Sequence, residues 1–500
     1  MKIFGLEIKR APSRKVTFRN YAGAKSDRLT ADWITTNLVS DEILRWHLSK
    51  LRSRSRDLAN NNDYMKNFLR KLKVNVIGPN GIGMQSKARL RNGNLDKRSN
   101  EKIEEAWQNW TKKANISVCG TLTFKDFIST AIETVARDGE VLIRKIKGYD
   151  NKFSYALQLL EADHLDENLN QDLANGNKIR LGIEKNRWGK PIAYHLLEKH
   201  PGETLASGQS YVRIPAEEII HIFIKERPTQ SRGVPWAHTA IIRLRMLGLY
   251  EEAALVNARI GASKMQAIIM SDSSGEFTGD GKDAYNNVVD EVEPGMRELL
   301  PPGTTLHDFN PQYPSQEYAP FNKAALRGIA SGLGCSYNSL ANDLEGVNFS
   351  SLRSGLLEER DGWKAIQSWF IENVLEEIFP VFLEMAILSG ELNLSYAEIQ
   401  RLTAPKWQGR RWEWVDPEKD INARITALSA GLTTRTRICA EQGDDFEEIL
   451  EELKEEKKMI TDSGLSFFLD AIKKPENNPA EPEEDMASAA TGGDGNGKNH

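Results

Sequence analysis

The chain has 500 residues, 40% hydrophobic and 27% charged, and a formal net charge of −5. This is ordinary globular composition, long enough for roughly three domains, and no apolar run approaches the roughly 18 residues of a membrane span. Its three cysteines, Cys119, Cys335 and Cys439, are too few and too scattered for a disulfide framework or a cysteine-caged zinc, which fits a reducing compartment.

Residues 1–39 are basic, show no sustained period and read as a partly ordered arm; the first ten lack the long apolar core of a signal peptide. Ser40 offers a helix N-cap, with Asp41 and Glu42 in the first turn. Ile43, Trp46, Leu51 and Leu58 mark the apolar side of a helix running to Asn60-Asn61-Asn62, a poor helix interior and a good break. A second helix from about Asp63 buries Tyr64, Phe68, Leu69 and Leu72 and ends before the turn Gly78-Pro79-Asn80-Gly81. Two more helices are predicted near 100–113 and 124–137.

From Asp138-Gly139 the period changes to two. Short β-rich runs at 141–146, 155–160, 179–184, 192–197 and 219–224 are separated by turn residues, with a hairpin around 185–190. The pattern gives a mostly antiparallel sheet with helices on one side, an α+β body.

Helical period returns after Pro235. Trp236, Ala240, Leu244, Leu247, Tyr250, Ala254 and Ala258 place one apolar face over about six turns. Residues 266–270 and 304–309 are strand candidates on either side of a polar, Gly-rich stretch, and 324–333 is a short helix. Gly346-Val347-Asn348-Phe349-Ser350-Ser351 is irregular, and its serines can cap the next helix. Leu352, Leu356, Trp363, Ile366, Phe370, Val374 and Ile378 form the stripe of that long helix, which Pro380 kinks or ends and Gly390 stops. Asp416-Pro417-Glu418 opens a carboxy-terminal helical unit, punctuated by Gly431 and Gly443. The polar tail after Lys474 is expected to be disordered.

The small net charge hides a polarity. Residues 1–113 carry 25 Lys and Arg against 11 Asp and Glu, whereas residues 441–485 carry 5 Lys against 16 acids. That suits a basic arm facing nucleic acid, opposite ends that attract between subunits, or simply two solvated surfaces of different sign. The acidic helix expected at 444–458 sets Glu451 against Glu455 and Glu452 against Glu456 at i, i+4, a like-charge cost that a basic partner would relieve.

Catalysis is not signalled. Gly78-Pro79-Asn80-Gly81-Ile82-Gly83 lacks the Gly-Lys-Ser/Thr ending that places an ammonium and a hydroxyl on phosphate and magnesium, and it reads as a turn. The eight histidines form no His-Glu-x-x-His pair, no Gly-x-Ser-x-Gly elbow occurs, and no cysteine has a nearby histidine. The cysteines read as buried small hydrophobes. Glu161, Asp163 and Asp166 cluster with His164 at a strand end, where carboxylates can hold a divalent cation; the simpler reading is an acidic loop at a sheet edge. No catalytic residue, metal site or cofactor is expected.

Several segments together resemble the lambda-type portal proteins of tailed bacteriophages. Arg52-x-Arg54-Ser55-Arg56-Asp57-Leu58-x-x-Asn61-Asn62-x-Tyr64, and after it Val76-Ile77-Gly78, is similar to the family's opening motif. Ile219-Ile220-His221-Ile222-Phe223, continuing to Glu226-Arg227-Pro228-x-Gln230-x-Arg232-Gly233-Val234-Pro235, is similar to its central signature. Pro294-Gly295 and Leu299-Leu300-Pro301-Pro302-Gly303 come next. Ile329-Ala330-x-Gly332-Leu333-Gly334, Tyr337 and Asp343-x-x-Gly346-x-Asn348-Phe349-Ser350-Ser351-x-Arg353 form the most specific block, and Trp412-Glu413-Trp414-Val415-Asp416-Pro417 closes the series. The order is the family's; one departure is Phe349, where tyrosine is common.

The resemblance implies a non-enzymatic portal fold. Its parts would be a basic arm at 1–39, a mixed helix and antiparallel-sheet wing at 40–234, a stem helix at 235–265 and a small α/β clip at 266–322. Next would come a second stem helix at 323–339, a tunnel loop at 340–351, a long helix and wing return at 352–414, a helical crown at 415–472 and a disordered tail at 473–500. It further implies a ring, typically dodecameric, at one capsid vertex of the virion, assembled in the host cytoplasm. Double-stranded DNA would pass through it, with transient, non-specific contacts. The terminase large subunit, the major capsid protein and the head–tail connector proteins would be partners, with no membrane involved.

The candidate channel residues are Asn342, Asp343, Glu345, Asn348, Phe349 and Ser350, in a stretch without Lys or Arg, as suits a channel that must not grip a polyanion. The family-signature positions are Arg56, Asn61, Asn62, Tyr64, Arg227, Pro228, Arg232, Gly233, Pro235, Ser351, Arg353 and Trp414. The alternative is a DNA-binding protein using the basic N-terminal region, which would bind duplex tightly with steep salt dependence.

Overall fold

Helix α1 (Ser40–Asn61) buries Leu44, Leu48, Arg52, Ser55, Leu58 and Ala59 at three- and four-residue spacing. Ile43 and Trp46 of the expected stripe instead stand 39% and 71% exposed. The buried face was hidden because Arg52 occupies an apolar position on it, drawn in by Glu140, Asp163 and Glu167. Ser40 does not cap this helix; Val39 is the N-cap, without a side-chain bond. Asn60 and Asn61 stay helical. Only Asn62 is extended, and its side chain accepts from the Met65 N–H at 3.0 Å to start α2 (Asp63–Val76).

The computed structural model describes residues 37–203, 210–262, 316–345, 348–412, 417–441 and 446–463, with residues 28 and 35 and short pieces at 2–3, 6–7, 266–270, 281–282, 288–289 and 304–308. The chain divides into two units, Met1–Trp412 and Glu413–His500. Among the described residues no helix is long and apolar enough to cross a membrane.

After the short strand β1 (Gly83–Ser86) come α3 (Lys97–Trp110) and α4 (Phe124–Asp138). Thr123 and Asp126 form a reciprocal capping box at the start of α4, and Gly139, at φ 96°, ends it in the left-handed region. Strands β2 (Glu140–Lys147) and β3 (Tyr155–Leu160) are next. Then β4 (Gln171–Asp172), β5 (Lys178–Arg180), β6 (Ile183–Lys185), β7 (Pro191–Leu197) and β8 (Tyr211–Pro215) form one antiparallel sheet in the order β8-β7-β6-β5-β4. β9 (Ile219–Phe223) returns to pair with β2, whose other edge takes β3. The architecture is thus the α+β mixture of helices and antiparallel strands that the periodicity predicts.

One predicted strand divides. The run at 179–184 is a hairpin in which Arg180 pairs with Ile183 across Leu181 and Gly182, at φ 51° and 82°. Two positive φ angles are what a twist-matched two-residue turn requires, and burial of Leu181, 1% exposed, offsets the cost of a left-handed leucine. The 185–190 hairpin forms as expected, Asn186 bonding Lys190 through its backbone N–H at 3.0 Å.

Helix α5 (Ile241–Ala262) starts six residues beyond Pro235, after a run of turns. One face buries Ile241, Leu244, Leu247 and Ala254. A second apolar face, with Ile242, Met246, Leu249, Leu255 and Val256, is exposed. Strands β10 (Gln266–Met270) and β11 (Thr304–Asp308) pair antiparallel. Most of 263–315, including Pro294-Gly295 and the 299–303 motif, lies outside the described residues, as does the tail after Ser463.

Helix α6 (Tyr318–Leu333) packs on α5 through Gly328 and Gly332, where Thr239 donates to the Gly332 carbonyl at 3.2 Å. α7 (Tyr337–Ala341) is short, and α8 (Phe349–Phe370) leads through a π-helical turn, Ile371–Leu375, into α9 (Glu376–Leu388). Pro380 therefore does not end the long helix. The irregularity falls one turn ahead of it, and Gly390, at φ 82°, marks the stop. Strand β12 (Pro405–Gln408) pairs with β1.

The main core gathers α2, α4, α5, α6, α9 and β2. Its aromatic centre is Trp107, whose ring lies 5.0–5.7 Å from those of Trp110, Phe124, Phe379, Phe382 and Trp407. The second unit contains α10 (Pro417–Ser429), α11 (Arg435–Glu441) and α12 (Phe446–Ser463). Pro417 occupies the first helical position, and Gly431, at φ 71°, lies just past the first helix.

Candidate functional site

The central signature is a buried ion network at the corner between α4 and β2. Arg232 is fully buried. Its Nε lies 2.8 and 2.9 Å from the two Glu140 oxygens, and its remaining N–H groups donate to the carbonyls of Leu165, Leu181 and Ala162 at 3.0–3.2 Å. Glu140 also accepts from Arg52 at 3.2 Å, from the Gly233 N–H at 3.0 Å, and meets His221 Nε2 at 2.8 Å. Burial alone would push the Glu140 carboxyl up; the Arg232 charge and the His221 hydrogen bond outweigh it and hold the group well below the usual range. Burial in turn lowers the His221 ring despite the pull of Glu140. All three nitrogens of the Arg232 guanidinium and both Glu140 oxygens are engaged, which makes the buried charges tolerable.

A second arginine serves the same corner. Arg56 grips Asp138 through two bonds of 3.0 and 2.9 Å and reaches Asp163 at 2.5 Å and Glu161 at 3.1 Å. Burial works against Asp138 ionising, but Arg137 and Arg56 prevail and its carboxyl titrates below the usual range. Gly233 passes so close to Gly139 that only glycine fits at either position. Pro235 is buried immediately beyond, and the Trp236 N–H donates to the Ala136 carbonyl at 3.0 Å. The signature thus fixes the approach to α5 onto the end of α4.

Several other signature positions bond neighbouring segments. Asn61 donates to Asp57 at 2.8 Å, and Asn62 caps α2. Tyr64 donates to Glu251 of α5 at 2.7 Å, and Asn322 of α6 reaches the same oxygen at 2.9 Å. Arg227 bonds the Leu38 carbonyl at 3.2 Å, and Pro228 lies in an exposed turn. Arg353 is half-buried on α8. Trp414 and the side chains of Phe349, Ser350 and Ser351 lie outside the described residues.

The candidate channel residues lie between α7 and α8 and at the start of α8. Leu340 and Ala341 finish α7, while Phe349, Ser350 and Ser351 open α8; of the residues between, 342–345 and 348 are described and are not helical. Asn342, at φ 53°, is the left-handed end of α7. The Asn67 amide on α2 donates to the Ser339 and Leu340 carbonyls at 3.1 and 2.8 Å, pinning this end of the loop. Asp343 accepts from the Tyr337 hydroxyl at 2.6 Å and the Glu345 N–H at 2.9 Å, and pairs with Lys323 of α6 at 3.2 Å. The Tyr337 bond is the main reason its carboxyl drops to about 2. Glu345 and Asn348 are exposed. Asp343 is therefore tied down by Tyr337 and by Lys323, the latter a neighbour from α6 that the loop sequence does not reveal.

Two sequence expectations need correction. The Glu161–Asp166 cluster is not a free acidic edge. Glu161, Asp163 and His200 place ligand atoms within 4.8 Å of one another, but the cation these acids hold is the Arg56 guanidinium. Nor are all three cysteines buried: Cys119 is exposed and Cys335 half-buried. The hydroxyls of Ser117 and Thr121, 3.2 and 3.1 Å from the Cys119 sulfur, bring its thiol down to about 7, whereas burial pushes Cys335 up to about 12.

Glu140 and Asp138, which carry the network, were missed because acids flanking a glycine at a helix-to-strand corner look like surface residues. Their signal was the arginines of the two motifs, which needed buried counter-charges.

The model of the phage portal protein, lambda family, matches residues 26–367. The probable portal protein of Halomonas phage phiHAP-1 is 38% identical over 465 residues, covering 91% of this chain and 89% of that protein. The chain belongs to the lambda family of phage portal proteins. Portal protein B of Escherichia phage lambda is 22% identical over 497 residues, covering 91% of this chain and 93% of that one. Among solved structures, a chain of the native gene transfer agent virion is similar with 12% identity and a TM-score of 0.44, covering 81% of this chain and 99% of that one. A chain in the neck of the empty particle gives 13% and 0.43, covering 80% and 94%. In this portal-family chain Arg232, Gly233 and Pro235 hold the approach to α5 against the α4–β2 corner.

Proposed function

We propose that the chain assembles into a ring, of about twelve subunits by the family's habit, at one vertex of a phage capsid, and that double-stranded DNA is packaged and later ejected through it. Terminase would dock on this ring during packaging and head–tail connector proteins afterwards. The observation that carries the reading is the lambda-family portal match over residues 26–367. The role is that of a conduit rather than an enzyme: the titratable groups gathered by the signature are spent on holding the α4–β2 corner to the base of α5. Within it, residues 40–234 would form the wing, 235–265 and 323–339 the stem, 340–351 the channel-facing loop, and 415–472 the crown.

Native mass spectrometry with negative-stain imaging tests this. A subunit of 56.3 kDa should give a species near twelve times that mass with a central hole wide enough for duplex. A compact dimer that binds duplex at nanomolar concentration would overturn the ring and favour a DNA-binding protein working through its basic first 113 residues.

A further inference from the structure

The stretch 342–348 has no Lys or Arg, yet the fold sets cations beside it. Lys323 and Arg327, one turn apart on α6, both approach the Tyr337 ring, at 5.5 and 5.7 Å from its centroid. Arg243 of α5 lays its guanidinium against Gly328, the next residue on α6. Arg243 and Arg327 are exposed, and among the described residues neither has a carboxylate within ion-pair distance. Of these three cations Lys323 alone is paired, with Asp343 at 3.2 Å.

The geometry points to Lys323 and Arg327 as the residues that touch the phosphodiester backbone of duplex DNA, with Asp343 as an internal counter-ion that gives way to each passing phosphate. This rests on the portal reading and on the loop lining the channel. An exposed ion pair is worth about 1 kcal/mol or less. A phosphate offers Lys323 the same charge that Asp343 does, so the exchange is nearly balanced and the contact stays brief. When Lys323 lets go, the Tyr337 hydroxyl and the Glu345 N–H keep the carboxylate in place to take the cation back. Without Asp343 each subunit would hold its phosphate more firmly, and a ring of such grips would drag on the duplex. The contact is to the backbone and reads no sequence.

The test uses assembled full-length rings and a fluorescent duplex of about 30 base pairs, monitored by anisotropy between roughly 50 and 300 mM salt, where each phosphate contact contributes about 0.9 to the slope of log affinity against log salt. Lys323→Gln with Arg327→Gln should lower the slope by about 1 or more, and Lys323→Arg with Arg327→Lys should keep it. Asp343→Asn should tighten binding by up to about fivefold, the worth of the pair removed. An unchanged slope in the double glutamine variant, no gain from Asp343→Asn, or no duplex binding by the parent ring at the lowest salt would overturn the proposal. Native mass measured on the same samples separates this from failure of the portal reading: if the parent chain forms no ring, that reading falls and the proposal with it.

Discussion

A β-carbon placed on Gly233 would stand 2.6 Å from Cβ of Phe223 and overlap the carbonyl of Gly139. Two chain segments cross there with no side chain between them, and Gly139 adds a φ of 96° that other residues avoid. Gly233→Ala should therefore cost about 2–4 kcal/mol, read as a lower urea midpoint for the unassembled chain. A loss under about 0.5 kcal/mol would show that the crossing can open without strain.

Glu140 makes stability depend on pH. Its folded pKa lies far below the unfolded value, so its contribution is present above about pH 4.3 and is lost as pH falls through the region beneath. His221 adds to this: burial lowers its folded pKa, so the unfolded chain takes up a proton below about pH 6.5 while the folded chain resists, and stability falls with pH there too. Arg232→Met should cost about 3 kcal/mol at pH 7 by stripping the main partner from a buried carboxylate, and should flatten the acid limb. Urea midpoints from pH 7 to 3 check both; a flat parent profile would count against the network.

Cys119 should label first. With its thiol near 7 and Cys335 near 12, iodoacetamide at pH 7 should modify Cys119 at least tenfold faster, as read by peptide mass spectrometry. Ser117→Ala with Thr121→Val removes both hydroxyls and should slow that reaction severalfold. Equal labelling of the two cysteines would contradict the geometry.

Replacing Asp343 and Glu345 by Lys should slow DNA packaging while rings still assemble. The change puts two ammonium groups where a counter-ion stood, facing a duplex with about one charge per 1.7 Å. Normal packaging rates in an assembly extract would remove the loop from the channel.

The elements legible in the sequence were those whose apolar spacing had no rival. β3, α2 and the 185–190 hairpin lie close to where their patterns put them. α1 misled because Trp46 and Ile43 look like core, while Arg52 fills a core position that Glu140, 88 residues away, Asp163 and Glu167 explain. β8 was missed because Tyr211 and Val212, both 43% exposed, carry no clear inside and outside. The signature residues could be picked out from their order, but not their work. Nothing in the sequence shows that Arg232 and Arg56 meet buried acids or that α6 supplies Lys323 to Asp343. Charge pairing across long sequence separations leaves no periodic trace.

The π-helical turn at Ile371–Leu375 places one residue more in the α8–α9 rod than a regular helix would need. Each helical residue advances the rod by about 100°, so everything after the turn is set a little over a quarter of a revolution from where an unbroken helix would carry it. Phe379 and Phe382, which meet Trp107 at 5.7 and 5.0 Å, lie beyond that offset. Deleting Asn373 would give a more regular helix and a worse protein, since the aromatic pair would be rotated off its seat. The extra residue behaves like a spacer washer, holding two well-made parts in register that would otherwise miss each other.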